Sequence, residues 1–291
     1  GLGFQTYQPT FTSALRTDPL AALIQLAGRV LHDTWLAAGQ AWSRPFDFSG
    51  LAQLTARQGQ VFWAVAAAGT LFALVYLILS RPQGDRLRSG DWLGLLAFSL
   101  PVLIAAGGPY WLTGLPITAS FPFDRFTLSF MTGAALLAAG LLALLPLPRW
   151  LKLIPLALLL GFSAALHYRH SLDYYRDWVT QRSLFWQMTW RMPALEPGTI
   201  LLSNELPVEH YSDNSLTAPL NWIYAPENRS TKMSHVFYYP TVRLGRGLPE
   251  LTPGLPVRQD YLAANFSGST SRVVVVYFQP PGCLRVMDPE V

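Results

Sequence analysis

Four long apolar runs follow one another between Val61 and Tyr168: VFWAVAAAGTLFALVYLILS, DWLGLLAFSLPVLIAAGGPYWL, FTLSFMTGAALLAAGLLALL and WLKLIPLALLLGFSAALHY. A bilayer core of about 30 Å takes roughly 20 apolar residues as a helix. Inside it, only helices and closed barrels satisfy every backbone polar group. The runs therefore predict an α-helical polytopic membrane bundle, with spans near 61–80, 92–112 and 126–146 and a fourth ending near His167. Only 13% of the chain is charged, against ~25% in ordinary soluble domains. The formal net charge of +4 comes from scattered residues, nearly all of the cations being arginine, with no dense basic cluster. That pattern argues against a nucleic-acid partner and names the lipid bilayer as the first one.

The flanks of the runs predict orientation. The connections 81–90 and 147–152 carry Arg81, Arg86, Arg88, Arg149 and Lys152, whereas 113–125 carries only Arg125. By the positive-inside rule the first two face the cytoplasm. The N-terminal stretch, the loop 113–125 and everything after Tyr168 then face outward. Within the spans, Pro101 and Gly107-Gly108 predict a kink in the second. Gly133 and Gly140, two turns apart in the third, predict close helix packing.

Ahead of the bundle, residues 1–59 read as an outer-face segment. Asp18-Pro19 supplies an N-cap and a first-turn proline. Leu20, Leu23, Ile24, Ala27, Leu31, Trp35, Ala38 and Trp42 then recur at helical spacing, with Arg29 and Asp33 off the stripe. Charges so central suit an interfacial amphipathic helix, or one packed on protein, better than a span. Residues 43–59 read as a polar connection. The chain begins at Gly1 and shows no secretory leader, so a preceding segment with further helices is expected.

Residues 169–291 read as an extracytoplasmic α/β domain. An amphipathic helix at 170–192, with Leu172, Tyr175, Val179, Trp186 and Trp190 near one face, is closed by Pro193. TILLSN reads as a strand, SLTAPLNWIYA as a helix capped by Asp213 or Asn214, and HVFYYP as a strand. VRQDYLAANF and RVVVVYFQ read as strands separated by the loop SGSTS, with CLRVMD as a hairpin partner.

Candidate chemistry is sparse. Cys283 is the one cysteine, so an intrachain disulfide is impossible, and in PPGCL it reads as a buried structural thiol. His167 and His170 share a helical face but lack companions for a metal site, and read as an interfacial pair. Asn228-Arg-Ser and Asn265-Phe-Ser match the glycosylation pattern, which is common by chance. No phosphate loop, dinucleotide fingerprint or nucleophile elbow occurs, so no cofactor is implied. Two stretches stand out. In FPFDRF, Asp124 and Arg125 sit where a helix enters the outer face, and ionisable groups at that depth are functional candidates. SNELPVEHYSDNSLTAPLNWIYAP gathers Glu205, Glu209, His210, Tyr211, Asp213, Asn214 and Asn221 among aromatic residues, a mixture suited to sugar recognition.

The layout resembles the C-terminal part of bacterial GT-C-type membrane glycosyltransferases, which use dolichyl- or polyprenyl-phosphate-linked sugars. In those proteins an outer loop carries an Arg-aromatic pair, typically Arg-Tyr followed by Leu-Pro, that runs into an alanine- and leucine-rich helix. Many then add an outer soluble domain. Here Arg125-Phe126 in DRFTLSFMTGAALLAAGLLALL matches; Phe replaces Tyr, and Leu128-Ser129 stands where Leu-Pro is usual. The resemblance covers residues 60–170. It implies a multi-pass protein of the bacterial inner membrane and a polyprenyl-phosphate-linked sugar as partner. The family's catalytic acid lies in a first outer loop that this stretch does not include, so no catalytic residue carries over. The outer domain resembles one found in large bacterial membrane proteins without assigned activity.

The expected function is therefore glycosyl transfer from a lipid-linked donor. The alternative is a non-enzymatic membrane protein whose outer domain binds envelope glycan or a partner protein. A transporter fits less well, because the spans lack central ionisable residues. With Cys283 replaced, Gly84→Cys and Trp150→Cys should resist a membrane-impermeant thiol reagent in cells with a permeabilised outer envelope. Thr118→Cys and Ser230→Cys should react, and the reverse pattern would contradict the orientation.

Overall fold

The computed structural model describes residues 10–80, 91–119, 124–203, 208, 213–238, 252–261 and 263–287. Those up to Ser171 belong to one compact unit and those from Leu172 to a second. The first contains α1 (Thr10–Thr17), α2 (Pro19–Ala38), α3 (Ala56–Leu79), α4 (Asp91–Thr113), α5 (Met131–Leu144) and the start of α6 (Arg149–Arg191). Among the described residues, four helical stretches are long and apolar enough to cross a membrane: Ala56–Leu79, Trp92–Thr113, Asp124–Leu144 and Arg149–Arg191. Only 17–22% of each apolar window is buried inside the protein. The rest is apolar surface that water does not favour, which is what a helix facing lipid presents.

The spans run antiparallel and approach closely at glycines. A β-carbon built on Gly133 would lie 2.7 Å from Leu103 Cγ, and one on Gly140 2.7 Å from Leu96 Cδ2. The two glycines of the third span thus receive leucines of α4 two turns apart, as their spacing anticipates. Between α3 and α6 the approach is backbone to backbone: a β-carbon on Gly161 would meet Ala66 O at 2.5 Å and Thr70 N at 2.6 Å. At the far end of this pair, Arg149 Nη2 donates to Leu77 O at 3.2 Å and Ser80 O at 2.9 Å, and Lys152 Nζ to Ala143 O at 3.4 Å. These cations sit where helix C-termini leave carbonyls unpaired and the dipole is negative.

The third span departs from a plain helix. Asp124–Phe130 is 3-10, and the α-helix begins only at Met131. Thr127 Oγ1 donates to Asp124 O (2.7 Å) and Ser129 Oγ to Phe126 O (2.9 Å), local bonds that favour the tighter turn. Residues 43–59, read as a polar connection, are instead two packed 3-10 segments, Gln40–Phe46 and Ser49–Gln53, followed by the start of α3. Phe46 and Phe48 lie 5.3 and 5.6 Å from the Phe162 ring, and Phe48 lies 5.8 Å from Trp63. Thr55 and Gln58 close the segment with a capping box on α3.

Helix α2 starts at the expected cap, with Asp18 accepting from Ala21 N at 3.1 Å. Apart from Ala38 and Trp42, which end the stripe and pack inward, its packed face is the one off the apolar stripe. Asp33 is buried and accepts from Trp111 Nε1 of α4 at 2.9 Å, while His32 Nδ1 lies 2.9 Å from its other oxygen. Leu36 and Ala37 join Leu103, Phe130 and Ala134 in a core cluster. Leu20, Leu23, Ile24, Leu31 and Trp35 remain exposed.

Where a break was expected near His167, α6 is one helix of 43 residues, roughly twice what a span requires. The reason is local: between Gly161 and Pro193 the sequence holds no proline or glycine to stop a helix. In the second unit, α6 buries Leu184 and Met188, with Met192 just past its end, and leaves Tyr175, Trp186 and Trp190 outward. With α7 (Asp213–Tyr224), it covers one face of a sheet ordered β3-β1-β6-β7. The strands are β1 (Ile200–Leu202), β3 (Val236–Tyr238), β6 (Val273–Tyr277) and β7 (Arg285–Val286); β1 is parallel to both neighbours, and β6-β7 is the expected hairpin. Leu201 and Phe237 point to the helices, while Ile200 and Val236 pack with Phe266 on the other side. Burial on both faces explains the unbroken apolar strings of these strands.

A second sheet, ordered β2-β5-β4, was not anticipated. β2 is Lys232–Met233, β4 Pro256–Asp260 and β5 Asn265–Ser269. The single strand expected over VRQDYLAANF is two antiparallel strands, with Asp260 opposite Asn265, and the supposed loop SGSTS supplies the end of β5. The turn between them lacks glycine and proline, so it read as strand, and the small polar residues of β5 read as loop. α7 begins at Asp213, which places Asp213 and Asn214 in its first turn rather than at its cap. Cys283 is exposed, not buried: at the turn after Gly282, its neighbour Leu284 takes the inward position.

Two predictions follow from packing. Gly161→Ala should destabilise the bundle by about 1–3 kcal/mol in reversible denaturation from mixed micelles, because backbone must move. Gly94→Ala, with nothing within 4 Å, should not. His235 is buried, its Nδ1 has no hydrogen-bond partner among the described residues, and burial pushes its imidazole below the ordinary value. Below pH ~6.5 the unfolded chain then binds more protons than the folded one. Exchange protection of the β3 amides, corrected for intrinsic rate, should therefore fall as pH drops through that range. His235→Phe should flatten the fall and add up to ~1–3 kcal/mol by removing the orphan nitrogen; an unchanged slope would contradict this.

Candidate functional site

Alternation of the spans brings four segments to one end of the bundle: the approach to α3, the exit of α4, the entry of the third span and the stretch of α6 around residue 168. Between them lies a pocket of about 200 Å³, lined by Ala41, Arg44, Asp47, Ala119, Asp124, Thr127, Leu166, Arg169 and His170. This is smaller than the ~300–1,000 Å³ of pockets that enclose a drug-sized ligand, so it suits a head group.

Each charged member has a structural reason for its place. Phe46 and Phe48 anchor on Phe162, which leaves the intervening Asp47 to line the pocket. Arg169 Nη1 donates to Asp47 O at 3.0 Å, packing so closely that a β-carbon on Gly50 would lie 2.9 Å from it. Arg44 Nη2 donates to Ala119 O at 2.8 Å, tying the first connection to the loop before the third span. Each guanidinium carries five N–H donors, so one carbonyl contact does not exhaust it. Asp124 opens the 3-10 turn and accepts from Arg125 N at 2.9 Å.

The two carboxylates differ. Hydrogen bonds from the Ser49 hydroxyl and backbone N–H hold Asp47 below its usual range; the Arg169 and Arg44 charges act in the same direction and desolvation opposes them. Asp47 therefore stays ionised and is a weak base. Asp124 accepts instead from the backbone N–H of Arg125. Together the pocket offers two guanidinium groups able to meet a phosphate and two carboxylates, Asp47 and Asp124.

Of the residues singled out from sequence, Asp124 lines this pocket and Arg125 does not. Arg125 is exposed, with its guanidinium carbon 5.2 Å from the Phe126 ring centroid. His170 lines the pocket, with its ring 6.5 Å from that of His167. Asn221 serves the fold: its oxygen accepts from Ser234 N and His235 N, and its nitrogen donates to Thr217 O and His235 O. All four of its side-chain positions are thereby used. Asn228 is similarly engaged with Ser230, Lys232 and Ser234. Glu205, Glu209, His210 and Tyr211 lie outside the described residues, as do the side chains of Asp213 and Asn214. Among the described residues no group of three or more His, Cys, Asp or Glu could hold a metal ion.

Arg44, Asp47 and Arg169 were missed. A signal existed: the tripeptide Pro-Phe-Asp occurs at 45–47 and again at 122–124, and both aspartates line the same pocket. Comparison with protein-family models, with curated proteins and with solved structures finds no match to this chain.

Proposed function

We propose that the chain is the membrane part of a bacterial glycosyltransferase that draws on a polyprenyl-phosphate-linked sugar at the outer face of the membrane. The observation that carries this reading is that Arg44 and Arg169 line one small pocket together with Asp47 and Asp124 at the end of the spans. Such an enzyme needs a cation site for the lipid phosphate at headgroup depth and a carboxylate to take the proton of the acceptor hydroxyl. In this reading Arg44 and Arg169 hold the phosphate, since a planar guanidinium matches its oxygens at two points. Asp124 is the base. The exposed stripe of α2, from Leu20 to Trp35, supports placement of this end in the interfacial layer. Arg125, outside the pocket, is given no phosphate contact.

A second reading, a binding protein without transfer, is favoured by the larger polar groove in the α/β unit described below. One experiment separates the two. The full chain, with any natural N-terminal extension, is reconstituted in nanodiscs and titrated with a polyprenyl-phosphate-linked sugar. Arg44→Ala should weaken binding about ten- to a hundredfold, the loss of a charge-assisted contact of ~1.5–3 kcal/mol. Arg125→Ala should change it by no more than about twofold. Asp124→Asn should retain binding and lose transfer to an acceptor. Wild-type binding without transfer would favour the second reading. No binding, or binding indifferent to Arg44, would contradict both the phosphate site and the enzyme.

A further inference from the structure

The α/β unit contains a groove of about 610 Å³ that the bundle pocket does not involve. Its walls come from three places: Pro197-Gly198 ahead of β1, the segment from Asn228 to Ser234, and β5 with the 3-10 turn that follows it. The walls are tied together independently of any ligand. Gly198 N donates to Ser234 O at 2.7 Å, and Arg272 Nη1 to Pro197 O at 2.6 Å. Asn228 Nδ2 donates to Lys232 O at 2.8 Å and Ser234 Oγ at 3.1 Å, while its Oδ1 accepts from Ser230. Two glycines line it: a β-carbon on Gly268 would lie 2.6 Å from Phe266 Cζ and 2.8 Å from Gly198 O, and Gly198 itself has a φ of +88°. A ligand therefore meets a preformed cleft.

Its chemistry is one-sided. Lys232 and Arg272 line it, and among the described residues no carboxylate does. Ser230, Ser234, Ser267, Ser269 and Asn228 supply hydroxyl and amide groups. No aromatic ring is among the described lining residues, so they offer no face to stack on a sugar, as the loop around His210 was expected to. We infer that it binds a small anionic polyhydroxylated molecule, a sugar phosphate or a sugar acid, with the negative group between Lys232 and Arg272 and the hydroxyls on the serines. Cations with no carboxylate among the described lining residues favour a charged ligand over a neutral one. The serine-rich wall favours one that carries its own hydroxyls.

Three probes share one ring and differ in charge: glucose 6-phosphate, glucuronate and glucose. Each is titrated into the full chain in nanodiscs, with binding read by calorimetry and by exchange protection of residues 228–234 and 265–272. The charged probes should bind and protect both segments, and glucose should bind at least tenfold more weakly. The stronger of the two charged probes identifies phosphate or carboxylate as the preferred group. Lys232→Ala, at an exposed position, should lose at least tenfold for the charged probes, and Arg285→Ala, exposed on β7 of the other sheet, should lose nothing. Equal binding of glucose, no binding by any probe, or indifference to Lys232→Ala would overturn the inference. Because Arg44 and Asp124 lie elsewhere, their variants should leave this binding unchanged. Failure here and failure of the proposed transferase are thereby separate results.

Discussion

Between helices in lipid there is little hydrophobic drive, because the tails are as apolar as the side chains that would meet. What remains is close packing, and the bundle obtains it from bare backbone. Gly161 lets α6 approach Ala66 and Thr70 of α3, and Gly133 and Gly140 receive Leu103 and Leu96 of α4. Everything built at the end of the spans depends on this registration. Arg169 lies two turns beyond Gly161 on α6, and its reach to Asp47 O at 3.0 Å needs α6 held at that height against α3.

The connections complete what the spans begin. Residues 40–54 pack through Phe46 and Phe48 on Phe162, and that anchoring sets the backbone of Asp47. The 3-10 entry to the third span places Asp124 across the pocket from it. A charged pocket at the boundary of an apolar bundle is costly unless its groups are paired or open to water. Here the arginines spend contacts on carbonyls that helix and loop ends leave available, so the same bonds that hold the connections in place also aim the guanidinium groups.

Much of the bundle was legible because its signal is long: four apolar runs of span length overwhelm local ambiguity. The cap at Asp18-Pro19 and the glycine spacing of the third span were legible for the same reason, since each rests on a position-specific backbone need. What escaped was short or non-local. The β4-β5 turn carries none of the residues that usually mark turns, and serine-rich β5 is a strand only because β2 and β4 flank it. Cys283 misled because a lone thiol is more often inside, whereas the alternation at a turn end gave that place to Leu284. The candidate site was half legible. Asp124 drew notice as a charge at a span entry, but Arg44, Asp47 and Arg169 meet it only through the folding of the first connection.

The central claim is that the end of the bundle bearing Arg44, Asp124 and Arg169 receives a lipid-linked phosphate. The most direct measurement is photocrosslinking of the full chain in bilayers with a polyprenyl phosphate carrying a photoreactive group beside the phosphorus, followed by mapping of the labelled peptides. The account predicts label in residues 41–47, 119–127 and 166–170, competed away by unmodified polyprenyl phosphate. Label concentrated at the opposite end, around Arg149 and Lys152, or spread evenly over the lipid-facing helices, would contradict it.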